Sequence, residues 1–248
     1  REDAVNIVFG AHLGFPAELR ERHTCVFFNL EQLGRGGAKV SPEYLQLLRS
    51  AAVVDYDASN VPAYCTHPDD VPVVPFLHAP YLGFDAAPEL EERPIDLLFF
   101  GSMNDRRRAF IERVEACGVN VAMFDHPIYG PERDHFIRQS KAVLNCSYYA
   151  TSRFEQVRVS HCLSLGTPVI SERGPASQPA AAFEDAVFWL QPEGIEAFFK
   201  QLFGTPAFFE SGRERLAAFQ RPDPVEAEQM VRSTSGGKSS RESSGERE

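Results

Sequence analysis

The chain has 248 residues, and 25 Lys and Arg against 35 Asp and Glu give it a formal net charge of −10. Apolar residues make up 43% of it and charged residues 24%, the balance of a globular protein with a sizeable core. The acidic charge excludes nucleic acid as the main partner, because phosphate backbones attract basic surfaces. No apolar run reaches the ~20 residues that span a bilayer, and no signal peptide is recognisable, so we expect a cytoplasmic protein.

The cysteines are odd in number and scattered, without the spacing of metal ligands. We therefore expect reduced thiols, no disulfide framework and no zinc site. The five are Cys25, Cys65, Cys117, Cys146 and Cys162. The chain begins with Arg1, and we interpret it as a processed form or a fragment of a longer protein.

Residues 1–87 show a short α/β pattern, which predicts an incomplete Rossmann-like domain. The predicted strands are 5–9, 25–29, 52–54 and 73–76, and the predicted helices lie near 42–48 and 58–64. A linker rich in proline and glutamate, residues 85–94, then marks the domain boundary.

Residues 88–225 alternate regularly between buried strands and helical periodicity. The predicted strands are 95–100, 119–124, 142–145, 168–171 and 187–190, and the predicted helices are 106–116, 133–140, 154–165, 180–183 and 195–203. Five strands, each followed by a helix, predict a parallel sheet covered on both faces, which is a complete Rossmann-like domain. The remaining tail, 226–248, is mostly serine, glycine and charge, and we expect it to be disordered.

Ligands of an open parallel sheet bind beyond the carboxyl ends of its strands. The strand at 95–100 ends at Gly101, where the backbone can approach a ligand, and Ser102 or Asn104 can cap the following helix. Three arginines, 106–108, lie in the first turn of that helix and oppose its dipole. Either a bound diphosphate offsets this charge, or the arginines are ordinary solvated surface residues.

The segment 152–172 predicts a helix that ends at Gly166 and turns through Thr167 and Pro168 into a buried strand. This joint resembles the C-terminal domain of the two-Rossmann (GT-B) nucleotide-sugar glycosyltransferases. The strand and glycine turn at 95–102 and the strand at 141–145 are similar to the same group.

A narrower resemblance covers residues 95–172. They are similar to a set of little-studied bacterial glycosyltransferases that combine Arg133-Asp134 with Glu155-x-x-Arg158 on a helix. The upstream Asn29-Leu30-Glu31-Gln32-Leu33 and the spacing of Asp55-Tyr56 and Asn60 resemble that set as well.

The resemblance implies a metal-independent, cytoplasmic glycosyltransferase of bacterial polysaccharide biosynthesis. It would move a sugar from a nucleotide-sugar donor to a glycan or lipid-linked acceptor, with no cofactor beyond this substrate. A lipid-linked acceptor would bring the protein into peripheral contact with a membrane, although the sequence shows no basic amphipathic helix that would by itself indicate membrane binding.

Donor-binding residues are expected at the strand ends of the C-terminal domain, where guanidinium groups and helix amides stabilise a leaving diphosphate. We assign this role to Arg106, Arg107 and Arg158, and we expect Tyr148 to stack on a base or sugar or to pack at a rim. The full predicted donor-binding set is Gly101, Ser102, Arg106, Arg107, Tyr148, Glu155, Arg158 and His161.

The sequence departs from the resemblance at one place. Retaining members of the wider group carry two glutamates eight positions apart, and here these positions are Arg153 and His161. Either Glu155 and Arg158 take over donor contacts, or the chain is a catalytically inactive binding or assembly module of a larger protein. Glu155 and Arg158 would otherwise form a surface salt bridge, and His161 would be a satisfied helix histidine.

Candidate acceptor-side residues lie in the first domain. His12, in the loop after the first strand, is the first candidate for a general base, and Glu31 is the second; an incidental loop histidine and a helix-capping glutamate are the alternatives. Gln32, Asp55 and Asn60 complete the predicted acceptor side, although Asp55 and Asn60 could simply cap a helix. The triplet at 55–57 matches the Asp-x-Asp metal motif of GT-A enzymes, but such a triplet is expected by chance, and we predict no metal.

Two other α/β functions are disfavoured. No Gly-x-Gly-x-x-Gly follows any predicted strand, which speaks against a nicotinamide-dependent oxidoreductase. The two-domain pattern and the lack of an acidic cluster speak against a flavodoxin-like response domain.

Overall fold

The computed structural model of the protein describes residues 1, 3–34, 37–84, 87–124, 126–149, 153–174, 179 and 181–220. The predicted tail, 226–248, lies outside the described residues. Within the described part the chain forms two compact units. Unit 1 contains Arg1–Leu30 and Val40–Pro75, and unit 2 contains Glu31–Lys39 and, as far as it is described, Phe76–Arg221. The units differ from the predicted domains, 1–87 and 88–225, in where the chain passes from one to the other.

Unit 1 is built on a three-stranded parallel sheet with strands in chain order. Its elements are β1 (Val5–Val8), α1 (Ala17–Arg22), β2 (Thr24–Asn29), α2 (Pro42–Ser50) and β3 (Ala52–Asp55). The start of α2 follows from its sequence, because the Ser41 hydroxyl accepts a hydrogen bond from the Tyr44 backbone N–H at 3.1 Å and Pro42 fits the first turn. These elements give the α/β pattern predicted for the first part of the chain.

One predicted element of unit 1 is wrong, and another is a helix of a different type. Only Val73 of the predicted strand 73–76 pairs with the sheet, in an isolated parallel bridge to Asp55. Pro72 and Pro75 flank this bridge and lack the N–H groups that a ladder needs. The predicted helix at 58–64 is a 3-10 helix, Ala58–Ala63, with a proline inside it.

Unit 2 confirms the predicted parallel sheet of five strands. The strands are β4 (Ile95–Phe99), β5 (Val121–Met123), β6 (Ser140–Asn145), β7 (Val169–Glu172) and β8 (Val187–Leu190). They run in the order β5-β4-β6-β7-β8, and every neighbouring pair is parallel. Ala142, Val143 and Leu144 of β6 are fully buried, as expected for a strand covered on both faces.

The helices of unit 2 are α3 (Asp105–Glu115), α4 (Gly130–Arg138), α5 (Gln156–Ser164), α6 (Ala181–Glu184), α7 (Ile195–Ala197) and α8 (Pro206–Gln220). Asn104 caps α3, since its Oδ1 accepts a hydrogen bond from the Arg107 N–H at 2.9 Å. The predicted helix 195–203 begins as α7 and continues as the π-helical segment Phe198–Leu202. Helix α8 was not predicted, and it buries Phe208 and Phe219 in the core.

The strand order of unit 2 indicates where a ligand can bind. After β4 the chain adds β5 on one side and then returns to add β6 on the other side, so the direction of strand addition reverses beside β4. Loops diverge at such a switch point, and a ligand can enter between them. No helix in the described part of the chain is long and apolar enough to cross a membrane.

Candidate functional site

Arg107 is held inside the loops that follow β4 and β6. Its side chain is 3% exposed. Its Nε donates to the Cys146 carbonyl at 3.0 Å and its Nη1 to the Ser102 carbonyl at 2.8 Å, while its Nη2 pairs with Glu155 Oε1 at 2.7 Å. Burial lowers the pKa of Arg107, and the charge of Glu155 opposes this shift. Arg107 is therefore a fixed cation at the carboxyl edge of the sheet.

Arg158 contacts the other oxygen of the same carboxylate. Its Nη2 lies 2.8 Å from Glu155 Oε2, and its Nη1 donates to Asn145 Oδ1 at 3.2 Å. Glu155 and Arg158 thus form the salt bridge that was the alternative to donor contacts, with side chains that are 22% and 18% exposed. Arg107, Glu155 and Arg158, which we call the arginine–glutamate cluster, thus hold two positive charges against one negative charge.

Gly101 allows the two guanidinium groups to approach the backbone. Its φ is +135°, which disfavours residues with a Cβ. A Cβ there would lie 2.9 Å from Arg158 Nη2 and 3.2 Å from Arg107 Nη1. The glycine predicted for ligand approach therefore lies against both arginines of the cluster.

Tyr148 lies on the other side of Arg107. Its ring centroid is 5.1 Å from the Arg107 Cζ, and its carbonyl accepts a hydrogen bond from Asn104 Nδ2 at 2.7 Å. The cap of α3 and the buried cation thus both fix Tyr148, and its predicted stacking on a base or sugar stays a prediction.

Arg106 does not belong to the cluster, although the sequence placed it beside Arg107. Its Nη1 donates to Glu172 Oε2 at 3.0 Å and to the Ser147 carbonyl at 2.7 Å, and its Nη2 contacts Glu172 Oε1. The hydrogen bond that Arg106 donates to Glu172 raises the pKa of Arg106. The pair ties the start of α3 to the end of β7. Glu172 was missed as a partner; it directly follows the predicted strand 168–171 and is the last residue of β7.

His161 lies in a second polar group on α4 and α5. Its Nε2 is 2.7 Å from Asp134 Oδ1 and 3.3 Å from Arg133 Nη2. Its side chain is 25% exposed. Arg153, at the other position that the resemblance assigns to a glutamate, donates from Nη1 to the Leu33 carbonyl at 3.1 Å. Both positions are thus occupied by side chains with protein partners.

Gln32 lies in unit 2, whereas the sequence placed it on the first domain. Its Nε2 donates to the carbonyls of Arg153 and Phe154 at 3.2 and 3.3 Å, directly before Glu155. Glu31 precedes it in the same unit and is half-buried. The short segment 31–33 is therefore packed beside the start of α5.

Asp55 and Asn60 lie inside unit 1. Asp55 is fully buried, and its oxygens accept hydrogen bonds of 2.8 to 3.0 Å from Asn29, Asn60, Tyr64 and the Asp57 backbone N–H. Burial raises the pKa of Asp55, and burial beside this carboxylate raises the pKa of Tyr64. The structure places both predicted acceptor-side residues in this network and not on a surface that an acceptor can reach.

His12 lies in a 3-10 turn, Ala11–Leu13, just beyond β1. It is half-buried, and its ring centroid is 6.2 Å from that of Tyr44. Both residues line a groove of about 610 Å³ in unit 1, together with Arg20 and Glu43. Its role as a general base stays a prediction. No group of three or more possible metal ligands occurs in the described part of the chain.

Comparison with known proteins was made by sequence and by structure. No family model matches the chain, and no curated protein matches it. Solved glycosyltransferase structures do match: TarM at a TM-score of 0.59 and 10% identity over 93% of this chain, and HepE from Anabaena, with UDP and glucose, at 0.54 and 14% over 92%. The chain has a GT-B glycosyltransferase fold. WaaG, a glycosyltransferase of lipopolysaccharide biosynthesis, also matches, at 0.52 and 14% identity over 89% of the chain.

The chain is shorter than these GT-B structures. It covers 54% of TarM, 77% of HepE and 80% of WaaG. Within the GT-B fold, the arginine–glutamate cluster lies at the carboxyl edge of β4 in unit 2, where the strand order reverses.

Proposed function

We propose that this chain is a glycosyltransferase that holds the diphosphate of a nucleotide-sugar donor at the arginine–glutamate cluster. The observation that carries the proposal is that Arg107 and Arg158 meet at Gly101 while sharing one carboxylate. The GT-B fold supports it, because the matched proteins are glycosyltransferases and the HepE structure contains UDP and glucose.

Charge explains how the cluster would assist the reaction. The bond between the sugar and the diphosphate breaks, and negative charge develops on the departing phosphate oxygens. Glu155 compensates one guanidinium and orients both, so one positive charge of the cluster remains for the leaving group. Fixed guanidinium groups stabilise such charge best where water is largely excluded, as it is at the buried Arg107.

The proposal also includes the kind of acceptor. We propose a glycan or lipid-linked acceptor of bacterial polysaccharide biosynthesis, a metal-independent reaction in the cytoplasm, and peripheral membrane contact when the acceptor carries a lipid. WaaG supports this kind of acceptor through its part in lipopolysaccharide biosynthesis. His12 remains the first proposed general base, and Glu31 is the second.

Calorimetry with a panel of nucleoside diphosphates and nucleotide sugars tests the proposal. We expect at least one nucleoside diphosphate to bind, and Arg158→Ala to weaken it by roughly tenfold or more, because a charge-assisted hydrogen bond is lost. Arg108→Ala is the matched control, since Arg108 is an exposed arginine on the same helix as Arg107. Failure of every nucleotide in the panel to bind would reject the proposal.

A separate observation favours a second candidate function. The two positions that the resemblance assigns to glutamates hold Arg153 and His161, and both side chains are engaged within the protein. This favours a non-catalytic GT-B module that binds a nucleotide sugar without transferring the sugar. Donor hydrolysis separates the two functions: the enzyme releases nucleoside diphosphate over time, and the module binds the donor and leaves it intact.

A further inference from the structure

A third arginine lies beside the arginine–glutamate cluster. The Arg133 Cζ is 5.8 Å from the centroid of the Phe100 ring, and the Arg158 Cζ is 5.4 Å from the same centroid. Phe100 directly precedes Gly101, so α4 brings Arg133 to the strand end at which Arg107 and Arg158 meet. Cation–π contacts with one ring hold these like charges near each other but do not neutralise them.

Arg133 is poorly neutralised by its neighbours. Its carboxylate partner in the described part of the chain, Asp134 Oδ1, is 3.5 Å away, while His161 Nε2 contacts that same oxygen at 2.7 Å. The Arg133 Nε is buried and has no hydrogen-bond partner among the described residues. Arg133 therefore has hydrogen-bonding capacity that its protein contacts do not use, and its side chain is 25% exposed.

The charge balance points the same way. Among the described residues, three guanidinium groups at this strand end, those of Arg107, Arg133 and Arg158, pair with two carboxylates, those of Glu155 and Asp134. The imidazole of His161 competes for the second carboxylate. The excess is one positive charge, which favours an anionic ligand, and the two partly exposed guanidinium groups, Arg133 and Arg158, can each contact one anionic group of it.

We infer that Arg133 is a further donor-binding residue, and that Arg158 and Arg133 contact successive phosphate groups beside Phe100. Arg133 thereby sets a preference for a diphosphate over a monophosphate leaving group. The inference rests on the proposed function, since it names the leaving group held at the same site. A monophosphate would be satisfied by the cluster at Gly101, whereas a second phosphate needs the planar donor fork of Arg133.

Phosphate-number preference is the readout that tests this assignment. Affinities of UMP, UDP, inorganic phosphate and inorganic pyrophosphate are measured for the wild-type chain and for Arg133→Gln, Arg158→Gln and Arg108→Gln. We expect Arg133→Gln to weaken UDP and pyrophosphate about tenfold and to leave UMP and phosphate unchanged. Arg158→Gln should weaken all four ligands, and the exposed control Arg108→Gln should weaken none.

A purely structural role of Arg133 would reduce all affinities together or lower only the melting temperature. If Arg133→Gln does not fold, Arg133→Met keeps the apolar stem over Phe100 and should show the same loss of preference. An unchanged ratio of pyrophosphate to phosphate affinity in the folded variant overturns the inference alone. A wild-type chain that binds no nucleoside diphosphate and no pyrophosphate overturns the proposed function and this inference together.

Discussion

Each unit has a carboxylate near the carboxyl edge of its sheet, Asp55 in unit 1 and Glu155 in unit 2. The groups that contact these two carboxylates differ. Asp55 in unit 1 is fully buried and accepts hydrogen bonds from neutral groups only, from Asn29, Asn60, Tyr64 and a backbone N–H. Glu155 in unit 2 is partly exposed and pairs with two guanidinium groups. Donors that satisfy a buried carboxyl group stabilise a fold, whereas an excess of fixed cations around a partly exposed anion leaves charge for a ligand.

The comparison predicts its largest effect on stability at Asp55. Asp55→Ala should lower the free energy of unfolding of unit 1 by about 3–4 kcal/mol, because several buried donors lose their acceptor at once. Asp69→Ala, at an exposed carboxylate of the same unit, should stay within about 0.5 kcal/mol of wild type. Urea denaturation measures both, and similar losses in the two variants would contradict a structural role of the network.

We expect Arg106 to contribute to stability, as the Asp55 network does, and not to UDP binding, as the arginine–glutamate cluster does. Arg106→Gln should cost about 2 kcal/mol of stability, because Glu172 is left largely buried without its cation, yet UDP affinity should stay at the wild-type value. The double variant with Glu172→Gln should recover part of the loss, since no unpaired charge remains. A large loss of UDP affinity in the stable double variant would contradict this prediction and would assign Arg106 to the donor site.

The next prediction concerns UDP affinity and Gly101, which lies against the arginine–glutamate cluster. Gly101→Ala should weaken UDP binding about tenfold, because the new Cβ displaces the guanidinium groups of Arg158 and Arg107. Gly118→Ala is the matched control, since Gly118 also has a positive φ, +88°, but a Cβ there meets nothing within 4 Å. Both variants carry backbone strain, so only a difference in affinity between them reports on the cluster; equal affinities would contradict the assignment.

The smallest expected effect is on the pH dependence of unit 1. Burial raises the pKa of Asp55 above its ordinary value, so the folded protein binds this proton more tightly than the unfolded chain. The stability from this group is fully present below the ordinary value of about 3.9 and is lost as the pH rises through the folded pKa. The stability advantage of wild type over Asp55→Asn should therefore shrink as the pH rises from acid to neutral. An advantage that stays constant or grows in urea titrations would contradict this.

The parallel sheet of unit 2 could be predicted because its strands are short apolar runs bounded by turns and helices, as in β6 and β8. Prediction failed at 73–76, where an apolar run resembles a strand but the flanking prolines remove ladder donors. It also missed α8, although the buried residues of this helix, Phe208, Phe209, Gly212, Leu216 and Phe219, recur at helical spacing along one face.

The site was predicted in part. Gly101 and Arg107, expected from the strand end, lie together with Glu155 and Arg158, which the family resemblance singled out. Arg106 could not be separated from Arg107 by sequence, because adjacent helix residues face directions about 100° apart and the pattern does not say which one faces the loop. The placement of Gln32 in unit 2 depends on contacts with residues about 120 positions away, which spacing along the chain does not encode.

A crystal structure of the chain with UDP tests the central claim most directly. The account predicts phosphate oxygens within about 2.7–3.2 Å of guanidinium nitrogens of Arg158, beside the Gly101 backbone. UDP bound elsewhere, with Arg158 contacting only Glu155 and Asn145, would contradict it.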